Sequence, residues 1–139
     1  MGRQYPIILI VDDSKAFREF AQLVIKDDLR YVTIILATNG MEGLQMYKKY
    51  KPDAIVLDWK MPVLDGMQVL KAVKQDDPQT KVIMTTAYTE DQLLLNEMKA
   101  LGAFTFIPKP TQRLLLLKAV NDALRERKNA GLYGQIPNV

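Results

Sequence analysis

The stretch Asp53-Ala54-Ile55-Val56-Leu57-Asp58 decides how this chain folds. Its short apolar interior, bounded by polar residues, predicts a strand buried on both faces of a parallel sheet. Pro52 stands just before the stretch and ends the helical pattern that precedes it. Asp58 follows the apolar run directly, at the carboxyl end of the predicted strand. Open α/β sheets place their functional sites at that edge, so Asp58 is the first candidate site residue.

Three further apolar runs lie at residues 7–11, 81–85 and 104–107. They are followed, directly or after one proline, by Asp12-Asp13, Thr86-Ala87 and Lys109-Pro110. If all four runs are parallel strands of one sheet, three carboxylates, a hydroxyl and an ammonium group converge at its edge. Such a cluster suits a divalent metal ion and a phosphoryl group.

Between the strands, apolar residues recur at helical spacing and predict five helices. These helices are expected to begin near Ser14 (as the N-cap), Asn39-Gly40, Asp65-Gly66, Glu90 and Thr111. A further strand is expected at residues 32–37. Strand and helix therefore alternate five times, which predicts one doubly wound α/β domain over residues 1–128 and a C-terminal tail over residues 129–139.

The composition limits the class of protein. The chain has 139 residues, of which 48% are hydrophobic and 25% charged, as expected for one globular domain. No apolar run approaches the ~18 residues of a membrane span, and the N-terminus does not resemble a secretory leader, so we expect a cytoplasmic protein. The sequence contains no cysteine and no histidine, which excludes thiol chemistry, a Ser-His-Asp triad and a phosphohistidine carrier. The net charge of +3 is only a weak reason to suspect nucleic acid, and no Lys/Arg block strengthens it, so direct binding to nucleic acid is not expected.

The order of the motifs identifies a family resemblance. The chain resembles a response-regulator receiver domain of two-component signalling, of the single-domain type similar to chemotaxis regulators. The resemblance covers roughly residues 5–128 and rests on Val11-Asp12-Asp13-Ser14, Asp58-Trp59-Lys60-Met61-Pro62 with Asp65-Gly66, Thr86-Ala87, Gly102-Ala103 and Lys109-Pro110. It implies a flavodoxin-like (βα)5 fold whose five parallel strands are ordered 2-1-3-4-5.

The resemblance also implies a phosphorylation site. Asp58 would accept a phosphoryl group from a sensor histidine kinase or a histidine phosphotransfer protein. Mg²⁺ would be held by Asp12, Asp13, Asp58 and the backbone carbonyl of Lys60. Enzyme activity is expected to extend no further than the domain's own phosphorylation and dephosphorylation. The alternative for Asp12-Asp13 is that the pair only caps the first helix.

Three residues are implied to read the phosphoryl group. Lys109 would pair with Asp58 before transfer and with a phosphoryl oxygen afterwards. The resemblance also implies that the Lys109-Pro110 peptide bond is cis. Thr86 would donate its hydroxyl, because Thr86-Ala87 aligns with the Thr/Ser-Ala pair of the family, and the adjacent Thr85 would point to the opposite face of the sheet. Phe106 is the aromatic residue expected to turn inward on activation; the alternative is that it is a permanent part of the core.

The two helices that flank the predicted fifth strand carry more leucines than their core-facing stripes need. Leu93 and Leu95 are expected beside the core stripe of the fourth helix. On the fifth helix, Leu115 is expected to face away from the core and Leu114 to lie at the boundary. These leucines predict a surface for an output partner or for a homodimer, the alternative being scattered surface leucine.

Two other functions remain open from the residues alone. An aspartate-nucleophile phosphohydrolase, similar to haloacid-dehalogenase phosphatases, would use Asp58 but would carry a second acid two residues later, where this chain has Lys60. A phosphate-independent α/β binding module would share the fold without needing the acidic, hydroxyl and ammonium positions.

Overall fold

A computed structural model describes residues 5–129 as five strands that alternate with five helices. The strands are β1 (Ile7–Val11), β2 (Thr33–Ala37), β3 (Ala54–Asp58), β4 (Lys81–Thr86) and β5 (Thr105–Pro108). The helices are α1 (Lys15–Asp28), α2 (Gly40–Tyr50), α3 (Gly66–Asp76), α4 (Gln92–Ala100) and α5 (Arg113–Asn129). None of these helices has the length and apolar character needed to cross a bilayer.

The five strands form one parallel sheet in the order β2-β1-β3-β4-β5. The predicted flavodoxin-like topology is therefore confirmed. Helices α1 and α5 pack on one face of the sheet and α2, α3 and α4 on the other, as two separate clusters of buried side chains show. This arrangement leaves the carboxyl edge of the sheet uncovered by helices, which is where the candidate residues lie.

Strand β3 explains why the deciding stretch is apolar throughout. Ala54 and Val56 pack in the cluster with α1 and α5, whereas Ile55 and Leu57 pack in the cluster with α2, α3 and α4. All five residues of β3 are buried. A strand covered on both faces has no solvent side, so the sequence shows a continuous run rather than an alternating pattern.

Three of the five predicted helix starts are N-caps of the structure, whereas α4 is capped by Asp91 rather than Glu90 and α5 begins at Arg113, two residues after Thr111. The side chains of Ser14, Asn39 and Asp65 each accept a backbone N–H from the first turn of α1, α2 and α3. At α3 the cap is reciprocal, because Gln68 accepts the N–H of Asp65 in return. These caps fix the directions in which the chain leaves β1, β2 and the loop after β3.

Several boundaries differ from the prediction. Asp58 and Thr86 are the last residues of β3 and β4, not the first residues beyond them, because the ladder continues through the register pairs Asp58–Thr85 and Thr86–Pro108. Strand β5 is shifted by one residue from the predicted 104–107. Helix α5 runs to Asn129, the first residue of the predicted tail, and the rest of that tail lies outside the described residues.

Helix α3 begins in direct contact with the end of β3. A Cβ atom on Gly66 would overlap the carbonyl oxygen of Asp58. Only glycine allows this approach, and the Gly66 N–H donates to the carbonyl of Trp59 at 2.7 Å. The loop that contains Lys60 is therefore tied at both ends.

The far end of α5 is anchored at the opposite edge of the sheet. Arg127 Nη2 lies 3.2 Å from Asp53 Oδ1, and both side chains are buried. The second oxygen of Asp53 accepts the N–H of Ile7 at 2.8 Å. A residue near the end of α5 is thus joined to the starts of β1 and β3.

Candidate functional site

The carboxyl ends of β1, β3, β4 and β5 bring the predicted residues together. Lys109 Nζ lies 2.6 Å from Asp12 Oδ2 and 3.3 Å from Asp58 Oδ1. The Lys109-Pro110 peptide bond is cis, as the resemblance implied. One ammonium group therefore bridges two carboxylates that come from different strand ends.

Asp12 is fully buried and has both carboxylate oxygens engaged. Its Oδ1 accepts the N–H of Ser14 at 2.9 Å, and its Oδ2 accepts from Lys109. Arg18 Nη1 donates to the Asp12 carbonyl at 2.8 Å, which fixes the backbone as well. Because Ser14 Oγ caps α1 by accepting the N–H of Phe17, capping does not account for the two acids.

The three acids form an oxygen-only cluster. Asp12, Asp13 and Asp58 each offer one carboxylate oxygen, and these oxygens lie within 4.8 Å of one another. Asp13 is exposed, in contrast to the other two. Hard oxygen ligands with an open side suit Mg²⁺, which keeps several of its waters. The residues present therefore fit the metal that the resemblance implies.

Asp58 is held in an environment that opposes its charge. Burial, and then the neighbouring charge of Asp12, raise the pKa of Asp58 from 3.8 to about 6, although Lys109 acts in the opposite direction. Without a metal, ionising Asp58 therefore costs more free energy in the folded domain than in the unfolded chain.

This pKa shift predicts how the stability of the metal-free domain depends on pH. The folded-state pKa of Asp58 is above the unfolded value, so its contribution to stability is present below about pH 4 and is lost as the pH rises through about 6. We expect Asp58→Asn to exceed the wild type in unfolding free energy by on the order of 1–2 kcal/mol at pH 7.5, and by much less at pH 4.5. Denaturant titrations in chelator measure both differences. An equal difference at the two pH values would contradict the assignment.

The two threonines at the end of β4 differ in orientation. Thr86 lines the cleft above Asp58, and its Oγ1 accepts the N–H of Tyr88 at 2.9 Å. Thr85 is also buried, but it lies on the face of Ile83 and has no hydrogen-bond partner for its hydroxyl among the described residues. The alternation along β4 thus separates the pair as expected.

The cleft above Asp58 has aromatic walls that the sequence analysis did not predict. Its volume is about 250 Å³, and Trp59, Lys60, Tyr88 and Lys109 are among its lining residues. The rings of Trp59 and Tyr88 meet edge to face with centroids 5.2 Å apart, and Lys60 Nζ lies 3.5 Å from the Tyr88 hydroxyl. Both aromatic residues follow strand ends in loops, where no periodic pattern marks their partners.

Phe106 lies on the same face of the sheet as Thr86. It is partly buried, it pairs in register with Met84, and both pack in the cluster with α4. This position connects the end of β4 with β5 and α4. The structure therefore places Phe106 at the boundary between the core and the surface.

The predicted partner leucines are exposed to different degrees. Leu93 and Leu114 are 83% and 76% exposed, and Leu115 is 38% exposed. Leu95 is partly buried against the core. The expected order on α5 was wrong, because Leu114 rather than Leu115 faces solvent more fully.

Comparison with known proteins agrees with this geometry. The sequence model described as the response regulator receiver domain matches residues 8–121. The chain is 37% identical to a chemotaxis protein CheY of Bacillus subtilis over 84% of this chain and 96% of that protein. It is 40% identical to sporulation initiation phosphotransferase F of the same organism over 74% and 81% of the two chains. The crystal structure of the signal receiver domain of a putative LuxO repressor protein from Vibrio parahaemolyticus superimposes with a TM-score of 0.84 at 30% identity, covering 92% and 96% of the two chains. The chain belongs to the response-regulator receiver domains of two-component signalling.

Proposed function

We propose that this receiver domain is a switch that accepts one phosphoryl group on Asp58 from a histidine kinase or a histidine phosphotransfer protein. The observation that carries the proposal is the convergence of Asp12, Asp13 and Lys109 on Asp58 at one sheet edge. The name of the similar sporulation phosphotransferase supports a phosphoryl-transfer role.

The transfer chemistry follows from the positions of these groups. A carboxylate oxygen of Asp58 attacks the phosphorus of the donor phosphohistidine, the phosphorus–nitrogen bond breaks, and the imidazole leaves. Lys109 lies 3.3 Å from Asp58 Oδ1 and would donate to a phosphoryl oxygen after transfer. A bound Mg²⁺ would offset the negative charge of the acids and of the phosphoryl group.

Direct phosphorylation tests the proposal. The protein is incubated with Mg²⁺ and a small acyl-phosphate donor, and its intact mass is measured. We expect one added phosphoryl group that is stable in acid and labile in base. No addition, or equal addition in excess chelator, would contradict the proposal.

The metal-binding role is predicted to fall chiefly on Asp13. Asp12 already uses both oxygens, whereas Asp13 is exposed and available as a direct ligand together with Asp58 and the Lys60 carbonyl. We expect Asp13→Ala to weaken Mg²⁺ binding at least about tenfold, and more than Asp12→Ala does. Trp59 fluorescence, read during a metal titration, measures both affinities. Unchanged affinity in both variants would exclude the site.

The response to phosphorylation is predicted to depend on Thr86. A phosphoryl group shifts a population only by interacting differently with two states, and the proposed sensor is Thr86, which would act on Phe106. We expect Thr86→Ala to keep most phosphorylation but to lose the change in hydrogen exchange at α4, β5 and α5. Thr85→Val is the matched control, because it removes the neighbouring hydroxyl on the opposite face. Loss of the response in both variants would contradict this role.

The output surface is proposed to be the face formed by α4, β5 and α5. The exposed Leu93, Leu114 and Leu115 and the partly buried Leu95 supply its apolar part. A partner protein or a second copy of the chain would bind there after phosphorylation. Sedimentation velocity with and without an acyl-phosphate mimic tests the homodimer, and hydrogen exchange tests the face itself.

Phosphohydrolase activity is not favoured. The position of the expected general acid is Lys60, whose ammonium lies by the Tyr88 hydroxyl. Receiver domains are signalling switches, and for this domain we propose no activity beyond its own phosphorylation and dephosphorylation.

A further inference from the structure

The ammonium group of Lys109 contacts an aromatic ring in addition to the two carboxylates. Its Nζ atom lies 4.7 Å from the centroid of the Phe17 ring. A cation within about 6 Å of a ring face is attracted by the ring quadrupole. The lysine side chain is only 24% exposed, so the ring and the acids together enclose the ammonium.

The Phe17 ring is itself fixed in place. Its residue lies in the first turn of α1, where its N–H donates to the Ser14 cap at 3.2 Å. The ring contacts the ring of Phe20, with centroids 6.2 Å apart, and packs against the buried cluster of α1 and α5. The ring therefore gives Lys109 a support that belongs to a different element.

We propose that Phe17 is a positioning residue for Lys109, whose ring face holds the ammonium beside Asp58 throughout the phosphorylation cycle. The inference rests on the function proposed above. A lysine stem is flexible, and the charges of the carboxylates around it change when a metal binds or when Asp58 is phosphorylated. The attraction of the ring does not depend on either event, so it persists when the carboxylate contacts are altered.

Three variants separate this role from ordinary packing. Phe17→Leu keeps an apolar side chain but removes the ring, whereas Phe17→Tyr keeps the ring. Phe104→Leu is the matched control, because the Phe104 ring lies 5.5 Å from Lys81 Nζ at a lysine–phenylalanine contact outside the Asp58 cleft. With a small acyl-phosphate donor and saturating Mg²⁺, we expect the rate of phosphorylation to fall roughly three- to tenfold in Phe17→Leu only.

A second measurement observes the contact without phosphorylation. The terminal methylene protons of Lys109, assigned by their loss in Lys109→Met, should show an upfield ring-current shift in the NMR spectrum. We expect this shift in the wild type and in Phe17→Tyr, and its loss in Phe17→Leu.

The outcomes decide the inference separately from the proposed function. An unshifted Lys109 signal in the wild type, a wild-type rate in Phe17→Leu, or an equal loss of rate in Phe17→Tyr would each overturn the positioning role. An equal loss in Phe104→Leu would assign the effect to general packing and would also overturn it. A wild-type protein that shows the Lys109 shift but takes up no phosphoryl group would instead contradict the proposed function.

Discussion

Replacing Asp58 with asparagine is expected to abolish phosphorylation. The amide is a poor nucleophile, and among the described residues no other carboxylate has Lys109 and two further acids around it in this way. The same substitution is expected to stabilise the metal-free fold, so loss of labelling cannot be attributed to unfolding. Intact mass after incubation with Mg²⁺ and a small acyl-phosphate donor gives the answer directly.

The control for this experiment is Asp28→Asn, which changes an exposed aspartate on α1 in the same chemical way. It should take up one phosphoryl group at the wild-type rate. Labelling that persists in Asp58→Asn would show that the acceptor is a different residue.

Replacing Arg127 with alanine is expected to have the largest effect on stability. The substitution leaves Asp53 buried without its 3.2 Å guanidinium partner, and breaking a buried ion pair from one side typically costs about 3–5 kcal/mol. Equilibrium unfolding in denaturant at pH 7 measures this loss. The added change Asp53→Asn should recover part of it, because the amide keeps an acceptor for the N–H of Ile7 and removes the buried negative charge.

Arg125→Ala provides the matched control for this prediction. Arg125 lies two residues earlier on α5 and is also 3.2 Å from an aspartate, Asp122, but the pair is exposed. Exposed pairs contribute about 0–1 kcal/mol, so the two alanine variants should differ clearly. Similar losses in both variants would show that burial adds nothing to the Arg127 pair.

The central site residues could be predicted from the sequence because they stand at strand ends. A run such as residues 54–57 is visible as apolar, and the first charged residue after it marks the edge of the sheet. The ends of β3 and β4 were predicted one residue too early, since backbone hydrogen bonds continue through Asp58 and Thr86 regardless of their polarity.

Contacts between distant elements could not be predicted in the same way. The Trp59–Tyr88 pair joins two loops, and the Phe17–Lys109 contact joins a helix to the end of β5, so neither produces a spacing in the sequence. Arg127, in the last turns of an amphipathic helix, resembles a solvent-exposed residue until the fold brings it to Asp53, 74 positions away. These details depend on three-dimensional placement alone.

The ammonium group between Asp12 and Asp58 has a consequence for how the acids respond to their surroundings. Lys109 is a cation attached to the same chain, so its effective concentration at the acids stays constant when free cations are diluted. A divalent ion bound by these acids would therefore share their negative charge with a tethered counter-ion. The domain keeps its acids partly neutralised whatever the cation content of the solution.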